Sequence, residues 1–578
     1  MYDKLSAKQR QVLDKTGKFV VRACPGSGKT YCVSAKLSKL ISEWSLLHQG
    51  VATISFTNTA WLEIKKKCEV DFDTTISYPH FLGTIDSFIN QFIFLPFGHL
   101  VLGCDKRPVM VGEPYGIWGG GRNEQDPNYY FDKVTYSITG EIQGWTREIY
   151  FKAGFPPQHN QNGAENVNYR RLKAMKESLG KDGYATQSDA NYYAMRILET
   201  YPTIRKTLAM RFPWLIIDEA QDTTDIQMKI IDMLISETEE QNIMIVGDPD
   251  QAIFEWNNAK PDLFIEKQTE WEDNSILLDE SWRSSEQICN AVYNLSSLGV
   301  NKIVPVNDEI KDFSCAPEVW SYANTNKNEL VKAFIEKCKE NGIDVTPQST
   351  VVLARAKSFF TQSIYNSVKP WLTTCPYAKD FAIGKYLFDK KDYARGAKYI
   401  EKGYVKFVKA IHYCSENELQ SFIDEKGFLN FRKSLKEILV LLPETNTKLG
   451  VWFDAATKSL NENGIPIAFA FNSAAREMEF YQVFPQEYTD NLQIDYRLST
   501  IHKVKGETFE AVLLFLKKKV VKNYKTLLET SNVTADEELR NVYVAISRPS
   551  KILVIAVPDD EDKKAWTEKL LPMAEVNT

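Results

Sequence analysis

Ala23-Cys24-Pro25-Gly26-Ser27-Gly28-Lys29-Thr30 sets two glycines, a lysine and a hydroxyl directly after the apolar run Lys18-Phe19-Val20-Val21 and directly before Tyr31–Trp44, a stretch of helical character. That order suits a loop that cradles phosphate. Gly26 and Gly28 let backbone amides curl around phosphate oxygens, and the following helix adds its partial positive charge. Lys29 can reach the terminal phosphates, and Thr30 offers a hydroxyl to magnesium. Ala23 stands where the pattern often has its first glycine. A nucleotide site of this kind also needs a carboxylate at the end of a second strand, and Trp214-Leu215-Ile216-Ile217 delivers Asp218 and Glu219 there. Asp218 would hold magnesium, while Glu219 would accept a proton from water attacking a γ-phosphate. The two segments together predict ATP and Mg as cofactors and hydrolysis as the chemistry.

Those side chains need a rigid frame, and the rest of the chain has the material for one. At roughly 150 residues per domain, 578 residues make about four structural units. A composition 43% hydrophobic, 12% aromatic and 25% charged argues against extended disorder, which goes with too little apolar surface to offset chain entropy. Met1–Asp14 carries Lys4, Lys8, Arg10 and Asp14 and has no signal-peptide core. The most apolar window, Phe92–Cys104, is interrupted by Pro96, Gly98 and His99 and falls short of the roughly 20 residues of a membrane span. Nine cysteines never spaced as CxxC give neither a zinc-site spacing nor a disulfide framework, so a cytoplasmic protein without a membrane partner is expected. The net charge of −6 leaves nucleic acid open, because binding follows local basic surface.

Further motifs follow in a fixed order. Leu5–Gln9, Ile54–Asn58, Gly83–Phe88, Val246–Trp256, Leu278–Ser284, Ser499–Glu510 and Glu538–Arg548, taken with the two segments above, resemble the motif series of the UvrD/Rep-type superfamily 1 DNA helicases. The resemblance implies a role for each. Gln9 would read adenine with both ends of its amide, and Trp282 would lie against the base. Ala23, Pro25, Gly26, Ser27, Gly28, Lys29 and Thr30 would hold ATP, with Thr30 and Asp218 on magnesium. Gln251 would sense the γ-phosphate, and Arg283 and Arg548 would be arginine fingers. Phe56, Thr57, Asn58, Thr84, Trp256 and His502 would hold single-stranded DNA, the aromatics stacking on bases without reading them. Lys29 and Glu219 lie in the first half of the series and both fingers in the second. An ATP touched by both halves must therefore sit between two domains.

The implied fold is α/β, with two RecA-like P-loop motor domains and two mainly helical inserted accessory domains. Motif spacing sets the first motor domain at residues 1–99 and 185–277, the first insertion at 100–184, the second motor domain at 278–365 and 485–578, and the second insertion at 366–484. Lys385–Lys409, basic and interleaved with aromatics, reads either as a patch for duplex phosphates or as a solvated helix face. Lys517, Lys518, Lys519, Lys522 and Lys525 form a second patch, equally ambiguous. Three positions depart from the family pattern: Pro249 replaces a frequent acid, Asn257 an arginine, and Thr508 a glutamate that usually meets nucleotide, with Glu507 or Glu510 as substitutes. The expected activity is ATP- and Mg-dependent translocation on single-stranded DNA and single-/double-strand junctions, 3′ to 5′ by resemblance alone, in DNA repair or anti-phage defence. The alternative is a DNA-sensing ATPase subunit that activates or loads a partner nuclease without processive unwinding, as in the compact Gabija-type anti-phage subgroup. A nucleotide kinase would leave the later motifs unexplained.

Overall fold

The computed structural model describes residues 4–110, 133–144, 155–160, 162–236, 241–254, 258–322, 327–356, 370–412, 416–483, 496–517 and 523–572, together with Tyr2, Tyr130, Phe359 and Cys414. Short apolar runs become strands. Lys18–Ala23 (β1), Val51–Ser55 (β2), Phe81–Thr84 (β3), Trp214–Ile217 (β4), Asn242–Gly247 (β5) and Ser275–Leu278 (β6) pair in the order β6-β1-β5-β4-β2-β3, every neighbouring pair parallel. Every residue of β2 and β4 is buried, as expected where helices cover both faces of a parallel sheet. Such a sheet sends the carboxyl ends of its strands to one edge, where ligands bind. That edge holds the phosphate loop after β1, Phe56 after β2, Thr84 at the end of β3, Asp218 after β4, Asp248 after β5 and Asp279 after β6.

Three helices frame this edge. Ala7–Asp14 (α1) opens with a capping box between Ser6 and Gln9, Lys29–Ser42 (α2) starts inside the phosphate loop, and Asn58–Asp71 (α3) is capped by Thr57. A second sheet, also parallel, is built from Glu318–Ser321 (β7), Thr350–Ala354 (β8), Arg497–Thr500 (β9), Phe509–Phe515 (β10) and Pro549–Val557 (β11), in the order β7-β11-β10-β8-β9. Helix Glu537–Ile546 (α4) is buried from Glu538 to its end. Arg540, fully buried, donates through Nε to the Ala252 carbonyl at 2.7 Å and through Nη1 to the Val533 and Thr534 carbonyls at 3.1 and 2.6 Å. Helix α4 is thereby tied to the segment after β5. The α/β class with parallel sheets is as expected.

The described part of residues 100–184 adds short strands to the expected helix. It holds one long helix, Val167–Lys181, but also an antiparallel hairpin of Val134–Tyr136 and Ile142–Gly144 and a short parallel pairing of Val109–Met110 with Tyr184–Ala185. The reason lies in the local pattern. Val134 and Tyr136 alternate with half-buried Thr135, a period of two that suits a strand with one face on a core. That core is shared: Leu102, Tyr130, Val134, Ile142 and Leu172 pack in one cluster with Ile54, Leu215 and Ile217 of the first sheet.

Five helices, Ala378–Asp389, Tyr393–Lys409, Glu416–Lys426, Phe428–Leu441 and Leu449–Glu462, surround a separate core around Phe381, Trp452 and Phe453. The basic run 385–409 falls on the first two. Lys406 pairs with Asp380 at 2.7 Å, Arg395 with Asp392 at 3.1 Å, Lys409 with Glu425 at 3.2 Å, and Lys385 with Asp389. Tyr386 and Tyr404 point into the core. Four of the eight basic side chains of the run are thus paired with acids of the protein. In the second patch Lys525 pairs with Glu561 at 3.1 Å, whereas Lys518, Lys519 and Lys522 lie outside the described residues. All nine cysteines are free and buried, and among the described residues no helix is long and apolar enough to cross a membrane.

Candidate active site

The phosphate loop has the backbone that its glycines predict. Gly26 and Gly28 take φ of +80° and +73°, a region costly for a side chain. Space forbids one as well: a Cβ on Gly26 would lie 2.5 Å from Ser281 Oγ, and one on Gly28 would lie 2.7 Å from Gln9 Nε2. Helix α2 has no side-chain cap at its start, which leaves its first amides available to an anion. The buried Ser27 hydroxyl likewise makes no hydrogen bond. Ala23, Pro25 and Cys24 form the buried root of the loop, fixed by the Cys24 amide donating to the Leu278 carbonyl at 2.8 Å.

Lys29 Nζ lies 2.5 Å from Glu219 and 3.9 Å from Asp218. Burial opposes its charge, but the two carboxylates prevail and hold it protonated. Burial also raises Glu219, yet the Lys29 and Lys505 ammoniums overcome it and hold the carboxyl down at about 2. Asp218 goes the other way, burial and the neighbouring Glu219 charge outweighing Lys29 to raise it to about 7. Its side chain is 1% exposed, and neither carboxylate oxygen accepts a well-formed hydrogen bond. A buried, unsatisfied carboxylate 3.9 Å from the lysine of a phosphate loop fits magnesium carried on a nucleotide, which takes few protein ligands. Accordingly, no group of three His, Cys, Asp or Glu side chains converges among the described residues. Glu219 itself sits at φ +56°, an uncommon backbone for a non-glycine residue.

The second half of the chain closes the site into a cleft of about 640 Å³, whose wall includes Lys29, Thr30, Glu219, Gln251, Trp282, Arg283 and Arg548. Arg548 donates through Nη2 to Gln251 Oε1 at 2.9 Å and through Nε to the Val544 carbonyl at 2.9 Å. Arg283 donates to Thr508 Oγ1 at 2.8 Å and to the Ser547 carbonyl at 2.9 Å. Burial lowers both guanidiniums, Arg283 to about 10, and the Arg283 charge lowers Arg548 further. Gln251 also binds Asp248 through Nε2 at 2.5 Å. Asp248, Gln251 and Arg548 thus form one chain from β5 to α4.

Gln9, expected to read adenine, already uses both ends of its amide within the protein. Its Oε1 accepts the Ser6 amide at 3.1 Å and its Nε2 donates to the Ser27 carbonyl at 2.9 Å. It is 3% exposed and does not line the cleft. The capping box that Ser6 offers has claimed it, and it braces the loop from behind. Trp282, 40% exposed, does line the cleft, and its amide donates to the Gly26 carbonyl at 2.9 Å. Neither proposed substitute for the missing glutamate is free: Glu507 pairs with Arg497 at 2.6 Å and Glu510 with Lys551 at 2.9 Å.

Of the strand-binding candidates, Phe56 is half-buried against the first core, and pairing of Ser55 with Thr84 sets it near Thr84 on the sheet edge. Thr57 and Thr84 spend their hydroxyls on helix caps, accepting the Ala60 and Ser87 amides at 3.2 and 3.1 Å. Asn58 accepts from Trp61 Nε1 at 3.1 Å. His502 hydrogen-bonds the Ile253 carbonyl at 3.2 Å and lines the cleft, while Trp256 and Asn257 lie outside the described residues. Sequence reading missed Arg540, Asp222 and Lys505. Asp222 is the last residue of the acidic stretch after β4, and Lys505 lies in the motif of His502, so both were within reach.

The family model of the UvrD/REP helicase N-terminal domain matches residues 5–102 and 131–272. Over these residues the chain is similar to the UvrD/REP helicase family. Similar proteins include a probable DNA helicase II homolog of Mycoplasma capricolum, 23% identical over 340 residues covering 55% of this chain and 45% of that protein. The ATP-dependent DNA helicase PcrA of Leuconostoc citreum is 20% identical over 310 residues, 52% of this chain and 40% of its own. DNA helicase II of Haemophilus influenzae is 23% identical over 313 residues, 51% and 40% respectively. The chain thus spans less than half the length of these UvrD/REP-type relatives.

Proposed function

We propose that the protein is an ATP- and magnesium-dependent translocase on single-stranded DNA, moving 3′ to 5′ and opening duplex at junctions. One observation carries this reading: Lys29 and Glu219 from the first sheet and Arg283 and Arg548 from the second half line a single cleft, with Asp218 buried 3.9 Å from Lys29. In this reading the sheets are the cores of two RecA-like motor domains, residues 1–99 with 185–277 and 278–365 with 485–578, and 100–184 and 366–484 are accessory insertions.

Magnesium, held by Thr30 and Asp218, would supply charge neutralisation at the phosphates. The α2 amides and Lys29 hold the phosphates; the incoming γ-phosphate competes with Glu219 for Lys29 and frees that carboxylate to orient water and take its proton. Arg283 and Arg548 meet the charge that develops on the transferring oxygens, and Gln251 ties Arg548 to the nucleotide side. Release lets the second sheet withdraw, converting hydrolysis into movement along a strand held near Phe56 and Thr84.

A partner nuclease activated by strand sensing, in phage defence, is the second reading; the unusual Arg283–Thr508 contact, where a glutamate is usual, favours altered coupling. ATP hydrolysis measured beside strand displacement separates the two. Hydrolysis stimulated by a homopolymer together with displacement of an annealed strand supports the motor. Stimulated hydrolysis without displacement supports the sensor, and absence of hydrolysis rejects both.

A further inference from the structure

One ion pair joins the turn that carries Glu219 to the second sheet. Asp222 ends the short turn Ala220–Asp222, and its amide donates to the Glu219 carbonyl at 2.9 Å. Its Oδ2 accepts from Lys505 Nζ at 2.6 Å, with the two side chains 1% and 12% exposed. Lys505 follows the turn Ile501–Val504 at the end of β9, so the contact crosses between the sheets. Its ammonium also stands 4.7 Å from the centre of the Phe254 ring. The other Asp222 oxygen is buried and accepts no hydrogen bond.

A carboxylate buried this deeply is costly without its cation, and removing one member of such a pair destabilises far more than the pair stabilises. If the second sheet draws back, Asp222 must either be reached by water or move its turn to find it. The pair therefore has two states, closed and paired or open and hydrated, and Glu219 stands three residues away on the same turn. We infer that Lys505 is a positioning residue for hydrolysis, fixing the Glu219 turn through Asp222 only while the cleft is shut. This inference rests on the proposed ATPase reading.

Lys505→Met and Asp222→Asn should each lower kcat by about 5- to 150-fold, the range of typical coupling between sites. KM for ATP should change by less than about threefold, because the interaction matters after binding. Lys505→Arg should keep most turnover, and the double variant should be no slower than the worse single, since one interaction is lost. Additive losses, or an Arg variant as poor as the Met variant, would overturn the inference. A second measurement does not depend on turnover: hydrogen exchange over residues 218–224 in the full chain saturated with a non-hydrolysable ATP analogue should be faster in Lys505→Met than in the parent. Unchanged exchange there rejects the positioning contact whatever the ATPase does. Absent parental hydrolysis with faster exchange rejects the proposed function and leaves the contact standing.

Discussion

Glu219 concentrates the chemistry at the smallest scale. It is ionised well below neutrality, strained in backbone, and paired with the lysine that a γ-phosphate must take over. Glu219→Gln should lower kcat by about 10²- to 10⁴-fold, the usual contribution of a general base, with ATP affinity retained. Single-turnover hydrolysis beside fluorescent-nucleotide binding checks this, and a fall in affinity matching the fall in rate would contradict it. Asp248 yields a pH prediction. Burial and the Asp250 charge raise it to about 7, so the folded state holds a proton that the unfolded chain releases well below neutrality. The stability this gives is lost as pH rises through 7. The melting temperature of the nucleotide-free parent should therefore fall more between pH 6 and pH 8 than that of Asp248→Asn; equal slopes would refute the shift. Residues of this kind were partly legible in the sequence. The place of the Asp218-Glu219 pair at a strand end was, because an apolar run that stops at two acids marks it, whereas the contacts of Gln9 with Ser6 and Ser27 were not, because they depend on where the backbone is placed.

At the scale of elements, the strand ends were legible and the short strands within residues 100–184 were not. An apolar run that stops at Gly, Asp or Thr marks both the end of a parallel strand and the edge where ligands bind, so the motifs and their positions coincide. Residues 100–184 contribute short strands to a core whose other half lies in the first sheet, a long-range partnership that local spacing cannot reveal. The helices carrying Lys385–Lys409 show the same limit in part, since Lys406 and Lys409 meet Asp380 and Glu425 only after folding. Lys406→Ala should lower the melting temperature, because buried Asp380 loses its partner, and should leave affinity for duplex DNA unchanged. A weakened duplex affinity at unchanged melting temperature would restore the phosphate-patch reading. Helix α4 delivers Arg548 to the cleft, and Arg548→Ala should cost about 10³- to 10⁵-fold in turnover, as for other arginine fingers, with a much smaller change in nucleotide affinity. Arg548→Lys should not rescue it, because an ammonium cannot hold Val544, Gln251 and a phosphate oxygen in one fixed fork.

Across the whole molecule, the two sheets are joined at the cleft by several polar ties: Arg548 to Gln251, Arg540 to Ala252, His502 to Ile253 and Lys505 to Asp222. Each links a segment of the second half to a loop at the carboxyl edge of the first sheet. A nucleotide that engages both sides would draw them together, and its loss would let them part, which is the motion a strand motor requires. The shared cleft is proposed to hydrolyse ATP in response to a DNA strand. Steady-state ATP hydrolysis by the parent chain and by Arg548→Ala, titrated with a single-stranded homopolymer, tests it most directly. The parent should show saturable stimulation and the variant should show almost none at matched nucleotide occupancy. Parent hydrolysis that ignores the strand, or a variant that responds as the parent does, would contradict it.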